Sequence, residues 1–137
     1  MRIESKEAMR LWAQSFAESL RPGDVVSLEG DLGVGKTQVV QWIAAWFGVQ
    51  EPVTSPTFAL MNHYQVPGME LYHLDLYRLE TEEEIEALNF EDAFYPETAI
   101  TFVEWAEKAA SYLPPHLLHV QIRSLGGEQR EVKLWRD

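Results

Sequence analysis

The segment GDLGVGKT at residues 30–37 is the feature that most constrains the fold of this 137-residue chain. It fits the pattern G-x-x-x-x-G-K-[ST] at every position. Its glycines permit backbone dihedral angles that other residues avoid, so several amide N–H groups can point at one anion. Lys36 can bridge the outer phosphates of a nucleotide, and the hydroxyl of Thr37 can ligate Mg²⁺. The segment therefore predicts a phosphate-binding loop for a purine nucleoside di- or triphosphate.

The sequence on either side of this loop predicts the strand and the helix that such a loop needs. The stretch VVSLEG (25–30) is typical of a short buried strand. Residues 36–47 carry apolar side chains at helical spacing, and Gly48 is a typical helix stop. The positive end of that helix would point at the bound anion.

The rest of the chain predicts more strands and helices around this unit. We expect a first helix at 5–20, a hairpin with strands at 58–66 and 69–76, a helix at 81–89, a strand at 99–103 and a final hairpin with strands at 117–123 and 129–135. We therefore predict a single α/β domain over residues 1–137, with a P-loop NTPase-like mixed β-sheet flanked by helices and carrying antiparallel hairpins.

The charge and the residue content argue against several other functions. The 22 acidic residues outweigh the 11 basic ones, which gives a formal net charge of −11. This charge disfavours a broad nucleic-acid-binding surface, but a few local donors can still hold a nucleotide. The chain has no cysteine, which excludes disulfides and thiolate metal ligands. No apolar run resembles a signal peptide or a membrane span, so we expect a cytoplasmic protein with no membrane partner.

Two carboxylates are candidates for the acid that a phosphate-binding loop requires beside it. Glu104 follows the apolar run AITFV, so it lies at the carboxyl end of a buried strand, where open α/β sheets bind ligands. Asp75 lies two residues after His73 in a predicted strand, so the two side chains share one face. Each acid also has a plain structural interpretation, Glu104 as a solvated strand end and Asp75 as an ion-pair partner of Arg78. We expect His73 to be a core histidine with satisfied polar atoms.

Two further residues are candidates for contacts near the nucleotide. Thr57, in the polar loop TSPTF, can reach the γ-phosphate or Mg²⁺ through water, as a switch-loop threonine does. Its structural alternative is a turn residue after Pro56. Trp105 directly follows Glu104, and a tryptophan at a strand end is usually part of a core or an interface. Its position beside the predicted nucleotide makes a role in the active site an equal alternative.

Five segments together resemble the bacterial TsaE (YjeE) family. GDLGVGKT, SPTF, YHLDLYRL, EEIEAL and VEW occur in the order and spacing of that family, over about residues 5–135. The loop alone indicates only a phosphate-binding protein, whereas SPTF, HLDLYR and VEW make the match specific. One departure is Asn89, because the family usually has glycine after the EEIEAL helix. Asparagine tolerates the left-handed conformation, so the turn is kept.

The resemblance implies a small P-loop ATPase of tRNA threonylcarbamoyladenosine biosynthesis. Proteins of this family bind ATP and Mg²⁺ and join the TsaD–TsaB heterodimer. Their ATP hydrolysis supports repeated transfer of the threonylcarbamoyl group to the tRNA adenosine beside the anticodon, and TsaD carries out that transfer. We expect this chain to hydrolyse ATP slowly without its partners and to contact tRNA only locally or indirectly.

The resemblance also implies roles for individual residues. Lys36, Asp75 and Glu104 are the implied catalytic residues, and Thr37 together with Glu104 is implied to hold Mg²⁺. The implied phosphate-binding residues are Gly33, Val34, Gly35, Lys36 and Thr37. Arg130 corresponds to a position near the nucleotide, and Ser5 lies where the N-terminal segment of the family approaches the base.

Two other functions fit parts of the sequence. A small-molecule P-loop kinase would need a lid and an acceptor pocket, and no unassigned segment is long enough for either. A nucleotide-gated interaction module with negligible turnover fits the small size and the acidic, aromatic stretch NFEDAFYPE (89–97) as a partner surface. That stretch is equally well explained as a solvated surface with two aromatic residues turned inward. A kinase would turn over alone with its acceptor, whereas a module would need its partners.

Overall fold

The computed structural model describes residues 1–56, 60–87 and 91–137. Its strands are β1 (Arg2–Ile3), β2 (Val25–Glu29), β3 (Met61–Val66), β4 (Met69–Asp75), β5 (Ala99–Glu104), β6 (Leu118–Gly126) and β7 (Gln129–Arg136). Its α-helices are α1 (Lys6–Ser19), α2 (Lys36–Phe47), α3 (Glu83–Ala87) and α4 (Glu91–Phe94), and a 3-10 helix spans Ala106–Tyr112.

The described strands form one mixed sheet in the order β1-β7-β6-β2-β5-β4-β3. Strands β6, β2, β5 and β4 run parallel to their neighbours in the centre. The β3–β4 and β6–β7 pairs are antiparallel hairpins at the two sides, and β1 pairs antiparallel with β7. The predicted mixed sheet with antiparallel hairpins is confirmed.

Helices cover both faces of the central strands. All six residues of β5 are buried, as its unbroken apolar run predicted. On one face, Val26 and Phe102 pack in a core with residues of α1 and α2. On the other face, Val25 and Val103 pack in a second core with residues of α3, α4 and the 3-10 helix. The parallel strands in the centre of the sheet are thus shielded from water on both faces, which leaves the ends of the strands as the place where loops can form a site.

Local sequence signals explain where the two longer helices begin and end. The Ser5 hydroxyl oxygen accepts the Ala8 N–H at 3.1 Å and caps α1. Helix α2 ends at Gly48, which has a φ of 95°.

The helix predicted at 81–89 is α3, with five residues, and Asn89 lies outside the described residues. The two-residue strand β1 was not predicted, because a strand this short shows no alternation.

Among the helices of the described residues, none combines the length and the apolar character that a membrane span requires.

Candidate functional site

The predicted site residues meet at the carboxyl edge of the parallel strands. In the sheet register, Leu28 of β2 lies beside Glu104 of β5, and Glu104 lies beside Asp75 of β4. The glycine-rich loop leaves β2 at the same edge and leads into α2. The loop and both candidate acids therefore share the end of the sheet where ligands of α/β proteins bind.

The backbone of the loop is shaped for an anion. A Cβ atom on Gly30 would lie 2.5 Å from the main-chain oxygen of Ile122 and 2.8 Å from a methyl group of Val34, so the loop closes against β6 only with glycine there. Gly35 begins α2 with a φ of 113°, and no side chain caps that helix end. A Cβ atom at Gly33 or Gly35 would meet no atom within 4 Å. The positive end of this 12-residue helix therefore has no side-chain cap and has open space beside Gly33 and Gly35.

Lys36 is buried at the start of α2, with 4% of its surface exposed. Its ammonium group donates to the main-chain oxygen of Gly30 at 2.7 Å and lies 4.0 Å from the centre of the Trp105 ring. Burial lowers the pKa of Lys36, and the nearby carboxylates of Glu104 and Asp75 oppose this shift without cancelling it. The fold therefore holds a desolvated cation, and an anion bound in the loop would stabilise its charged form.

One oxygen of Glu104 receives two hydrogen bonds. The Thr37 hydroxyl donates to Glu104 Oε2 at 2.9 Å. His73 Nε2 lies 2.6 Å from the same oxygen. Glu104 has 3% of its surface exposed and His73 has none. Glu104 is therefore a buried carboxylate joined to the loop threonine, and not the solvated strand end of its plain structural interpretation.

Asp75 is the second carboxylate of the site and is partly buried at the end of β4. Its Oδ2 accepts the Ser55 hydroxyl at 2.9 Å, and its Oδ1 accepts the Tyr77 N–H at 3.1 Å. A cavity of about 230 Å³ is lined by both acids together with Lys36, Thr37 and Trp105. These bonds orient Asp75 toward the same space as Glu104.

Trp105 turns the chain sharply at the end of β5. It adopts the left-handed conformation, with φ 60° and ψ 43°, which is strained for a residue that has a Cβ. This conformation places its indole face against the Lys36 ammonium group and 5.1 Å from the Tyr77 ring. Backbone strain of this kind is concentrated at functional sites.

A second cavity, of about 270 Å³, lies on the other side of the loop and shares Gly33, Gly35 and Gln38 with the first. It is lined by residues from α1, the loop, α2 and the turn between β6 and β7. The Arg130 guanidinium lines this cavity and donates to the main-chain oxygen of Val34 at 3.0 Å. The two cavities together offer room for a nucleotide that crosses the loop, with Arg130 holding the hairpin turn against the loop.

The structure brings together most, but not all, of the residues predicted for the site. The Ser5 side chain caps α1, and it is the next residue, Lys6, that lines the second cavity. Thr57 lies outside the described residues. Sequence reasoning did not name Gln38 and Trp42, which also line the second cavity. Their i, i+4 spacing just after the loop was a signal that could have identified them.

The oxygen atoms of the site fit Mg²⁺ bound together with phosphate. The Thr37 hydroxyl and the Glu104 carboxylate are hard oxygen donors 2.9 Å apart, beside the open N-terminus of α2. Within residues 1–56, 60–87 and 91–137, no group of three or more histidine or acidic side chains could hold a metal ion. Mg²⁺ is usually held by one or two protein oxygens plus phosphates and water, so this donor set suits it.

Comparison with known proteins identifies relatives over most of the chain. The family model for "Threonylcarbamoyl adenosine biosynthesis protein TsaE" matches residues 3–132. The tRNA threonylcarbamoyladenosine biosynthesis protein TsaE of Rickettsia bellii is 39% identical over 129 residues, which are 93% of this chain and 88% of that protein. The protein of the same name from Bacillus subtilis is 36% identical over 131 residues, 96% of this chain and 81% of that protein.

A solved structure is similar over almost the whole chain. The crystal structure of Bacillus subtilis YdiB matches with a TM-score of 0.80 and 30% sequence identity, covering 98% of this chain and 82% of that one. The predicted P-loop NTPase-like fold is confirmed by this similarity.

Proposed function

This chain belongs to the TsaE family of tRNA threonylcarbamoyladenosine biosynthesis, and we propose that it is a subunit that binds and hydrolyses ATP in that process. The observation that carries the proposal is the joint placement of Lys36, Thr37 and Glu104 at the uncapped start of α2. A buried cation, a hydroxyl and a carboxylate at a helix N-terminus are what a magnesium–triphosphate complex requires.

We place the phosphates of ATP at the loop and its base on the side of the second cavity. The open space at Gly33 and Gly35 supports this direction, because phosphate oxygens can approach the backbone amides there. Arg130 supports it as well, because the residue fixes Val34 and lines the second cavity. Lys6 and Gln38 would then lie near the nucleoside.

Each residue near the γ-phosphate has a separate role in the proposed hydrolysis. The Lys36 ammonium group stabilises the negative charge that the transferred phosphoryl group and the leaving ADP carry in the transition state. Thr37 and Glu104 would hold Mg²⁺, which would supply positive charge that neutralises the phosphates. Asp75, fixed by Ser55, orients the water whose oxygen forms the new bond to the γ-phosphorus as the bond to ADP breaks. Trp105 packs on Lys36 and limits where its ammonium group can go.

We further propose that the partners of this chain are the TsaD and TsaB proteins and that ATP turnover depends on them. Transfer of the threonylcarbamoyl group to tRNA belongs to TsaD in this proposal. The net charge of −11 supports a role in which this chain makes little contact with tRNA phosphates.

Phosphate release from Mg-ATP tests this function, first with the protein alone and then with TsaD and TsaB added. We expect slow release alone and clear stimulation by the partners. Brisk release that the partners do not change would contradict the proposed pathway and would favour a kinase that lacks its acceptor. Tight nucleotide binding without turnover in the full complex would favour the nucleotide-gated interaction module. Glu104→Gln should lower Mg²⁺-dependent release more than nucleotide binding, and equal release by that variant would move the metal role to Asp75.

A further inference from the structure

His73 is a buried polar residue that the mechanism above does not use. It lies in the middle of β4, beside Phe102 of β5, and no part of its surface is exposed. Its Nε2 atom lies 2.6 Å from Glu104 Oε2. Its Nδ1 atom is buried with no hydrogen-bond partner among the residues that the structure describes. The expected core histidine is therefore buried, but the described part of the chain satisfies only one of its two nitrogens.

An apolar side chain would fill this position at less cost. Two neighbours of His73 on the same face of the sheet, Leu71 and Phe102, belong to the apolar core, whereas Asn62 of β3 and Asp75 of β4 on that face are polar. Burying an imidazole there removes one ring nitrogen from water without replacing its hydrogen bond, which is unfavourable. The bond to Glu104 is the compensation that the structure offers for this cost.

The direction of that bond follows from the chemistry of its two partners. An ionised carboxylate only accepts hydrogen bonds, so the Nε2 atom of His73 carries the hydrogen and donates it. Glu104 Oε2 then accepts from both His73 and Thr37. The terminal torsion of a glutamate is broad and two-fold, so its carboxylate has no preferred orientation of its own. Two donors on one oxygen remove that freedom.

We propose that His73 is a positioning residue, whose Nε2–H fixes the Glu104 carboxylate in the orientation in which it meets Mg²⁺ beside Thr37. This inference rests on the proposed function, because it assigns Glu104 to the metal. His73 touches neither the nucleotide nor the metal in this proposal. It acts through Glu104, as hydrogen-bond partners of metal ligands do elsewhere.

The test is the Mg²⁺ dependence of ADP binding, measured by calorimetry over a series of Mg²⁺ concentrations and in excess EDTA. His73→Leu removes the donor and fills the space. His73→Gln keeps an amide N–H at about the reach of Nε2. We expect His73→Leu to raise the Mg²⁺ concentration needed for half-maximal tightening by about 10-fold or more. We expect His73→Gln to restore most of that loss, and ADP binding in EDTA to be the same in all three proteins.

A second pair of variants separates positioning from a general effect on the fold. In a Glu104→Gln background, His73→Leu should cause no further loss of Mg²⁺ dependence, because the carboxylate it orients is already gone. If His73→Leu does not fold, His73→Asn removes the donor by shortening the side chain and keeps its polarity. Equal losses in His73→Leu and His73→Gln, or the same loss with and without Glu104, would overturn the positioning role.

The same titration also distinguishes this inference from the function on which it rests. A Mg²⁺ response that is identical in wild type and His73→Leu overturns the role of His73 and leaves the metal site intact. An ADP affinity of the wild type that does not respond to Mg²⁺ overturns the metal site, and the role of His73 with it.

Discussion

Lys36→Met should leave the nucleotide-free protein at least as stable as wild type while it abolishes nucleotide binding. The wild-type ammonium group gains a hydrogen bond to Gly30 and a contact with the Trp105 ring. These are worth about 1.5–3 kcal/mol and about 0.5–2 kcal/mol in general. Replacing buried charged groups by apolar groups of similar volume is nevertheless often neutral, or stabilising by about 1–4 kcal/mol.

The direction of the pKa shift decides which of these effects dominates. The pKa of Lys36 is lowered by burial even though Glu104 and Asp75 attract the ammonium group. Relative to the neutral amine, the charged form is therefore less favourable in the fold than in water, and methionine avoids that desolvation penalty. We expect the free energy of unfolding at pH 7 to be unchanged or higher by up to about 2 kcal/mol.

Urea unfolding followed by circular dichroism measures both consequences in one experiment, with and without Mg-ADP. A ligand at 100 times its dissociation constant stabilises the folded state by about 2.7 kcal/mol. Wild type should show this gain, and Lys36→Met should show none. Lys108→Met is the matched control, because Lys108 is an exposed lysine that donates to the main-chain oxygen of Tyr77 and does not line the cavity of the site. That variant should keep the gain.

Two results would refute this reasoning. Loss of more than about 2 kcal/mol of stability in nucleotide-free Lys36→Met would mean that the contacts of the ammonium group outweigh its burial. A full stabilisation of Lys36→Met by Mg-ADP would mean that the loop is not the phosphate site.

Three further predictions follow from other contacts. Gly30→Ala should lower the free energy of unfolding by about 2–5 kcal/mol in urea titrations, because its Cβ atom would meet the backbone of β6. Gly33→Ala is the control: its Cβ atom would face open space, so it should lower the free energy of unfolding by only about 1–2 kcal/mol. Arg130→Met should weaken ADP binding in calorimetry by about 10-fold, because it loses the bond that holds the loop, and Arg123→Met on the same hairpin should not. Burial lowers the pKa of His119, but its hydrogen bonds to Asp137 and Glu29 raise it by more, so the net shift is upward from 6.5. The protonated histidine therefore stabilises the fold fully below pH 6.5, and this stabilisation is lost as the pH rises through the raised pKa. Urea titrations from below pH 6.5 upward should show the free energy of unfolding of the wild type fall with rising pH. The same fall in His119→Gln would contradict its attribution to His119.

Local signals predicted the elements that depend on neighbours in sequence. The loop, the helix after it and its end at Gly48 follow from residue types whose backbone preferences are strong. The turn of the β3–β4 hairpin follows in the same way from Gly68, which has a φ of 81°. The helix predicted after that hairpin begins at Glu83, two residues later than predicted, because acidic residues fit any position of a first turn, and its predicted end lies outside the described residues.

The contacts that define the site depend on strand order and register, which a single sequence does not contain. Thr37 and Glu104 were both predicted near the metal, but their hydrogen bond joins residues 67 positions apart. The bond between His73 and Glu104 exists because β4 and β5 pair in one particular register. The second cavity combines α1, the loop and the last hairpin, so no single segment could indicate its lining.

The most direct test of the account is a crystal structure of the protein with Mg²⁺ and a non-hydrolysable ATP analogue. The account predicts phosphate oxygens on the amides at the start of α2, the ammonium group of Lys36 on the outer phosphates, and Mg²⁺ bound by Thr37 and Glu104. An analogue bound away from the loop, or Mg²⁺ held by Asp75 with Glu104 still tied only to Thr37 and His73, would contradict it.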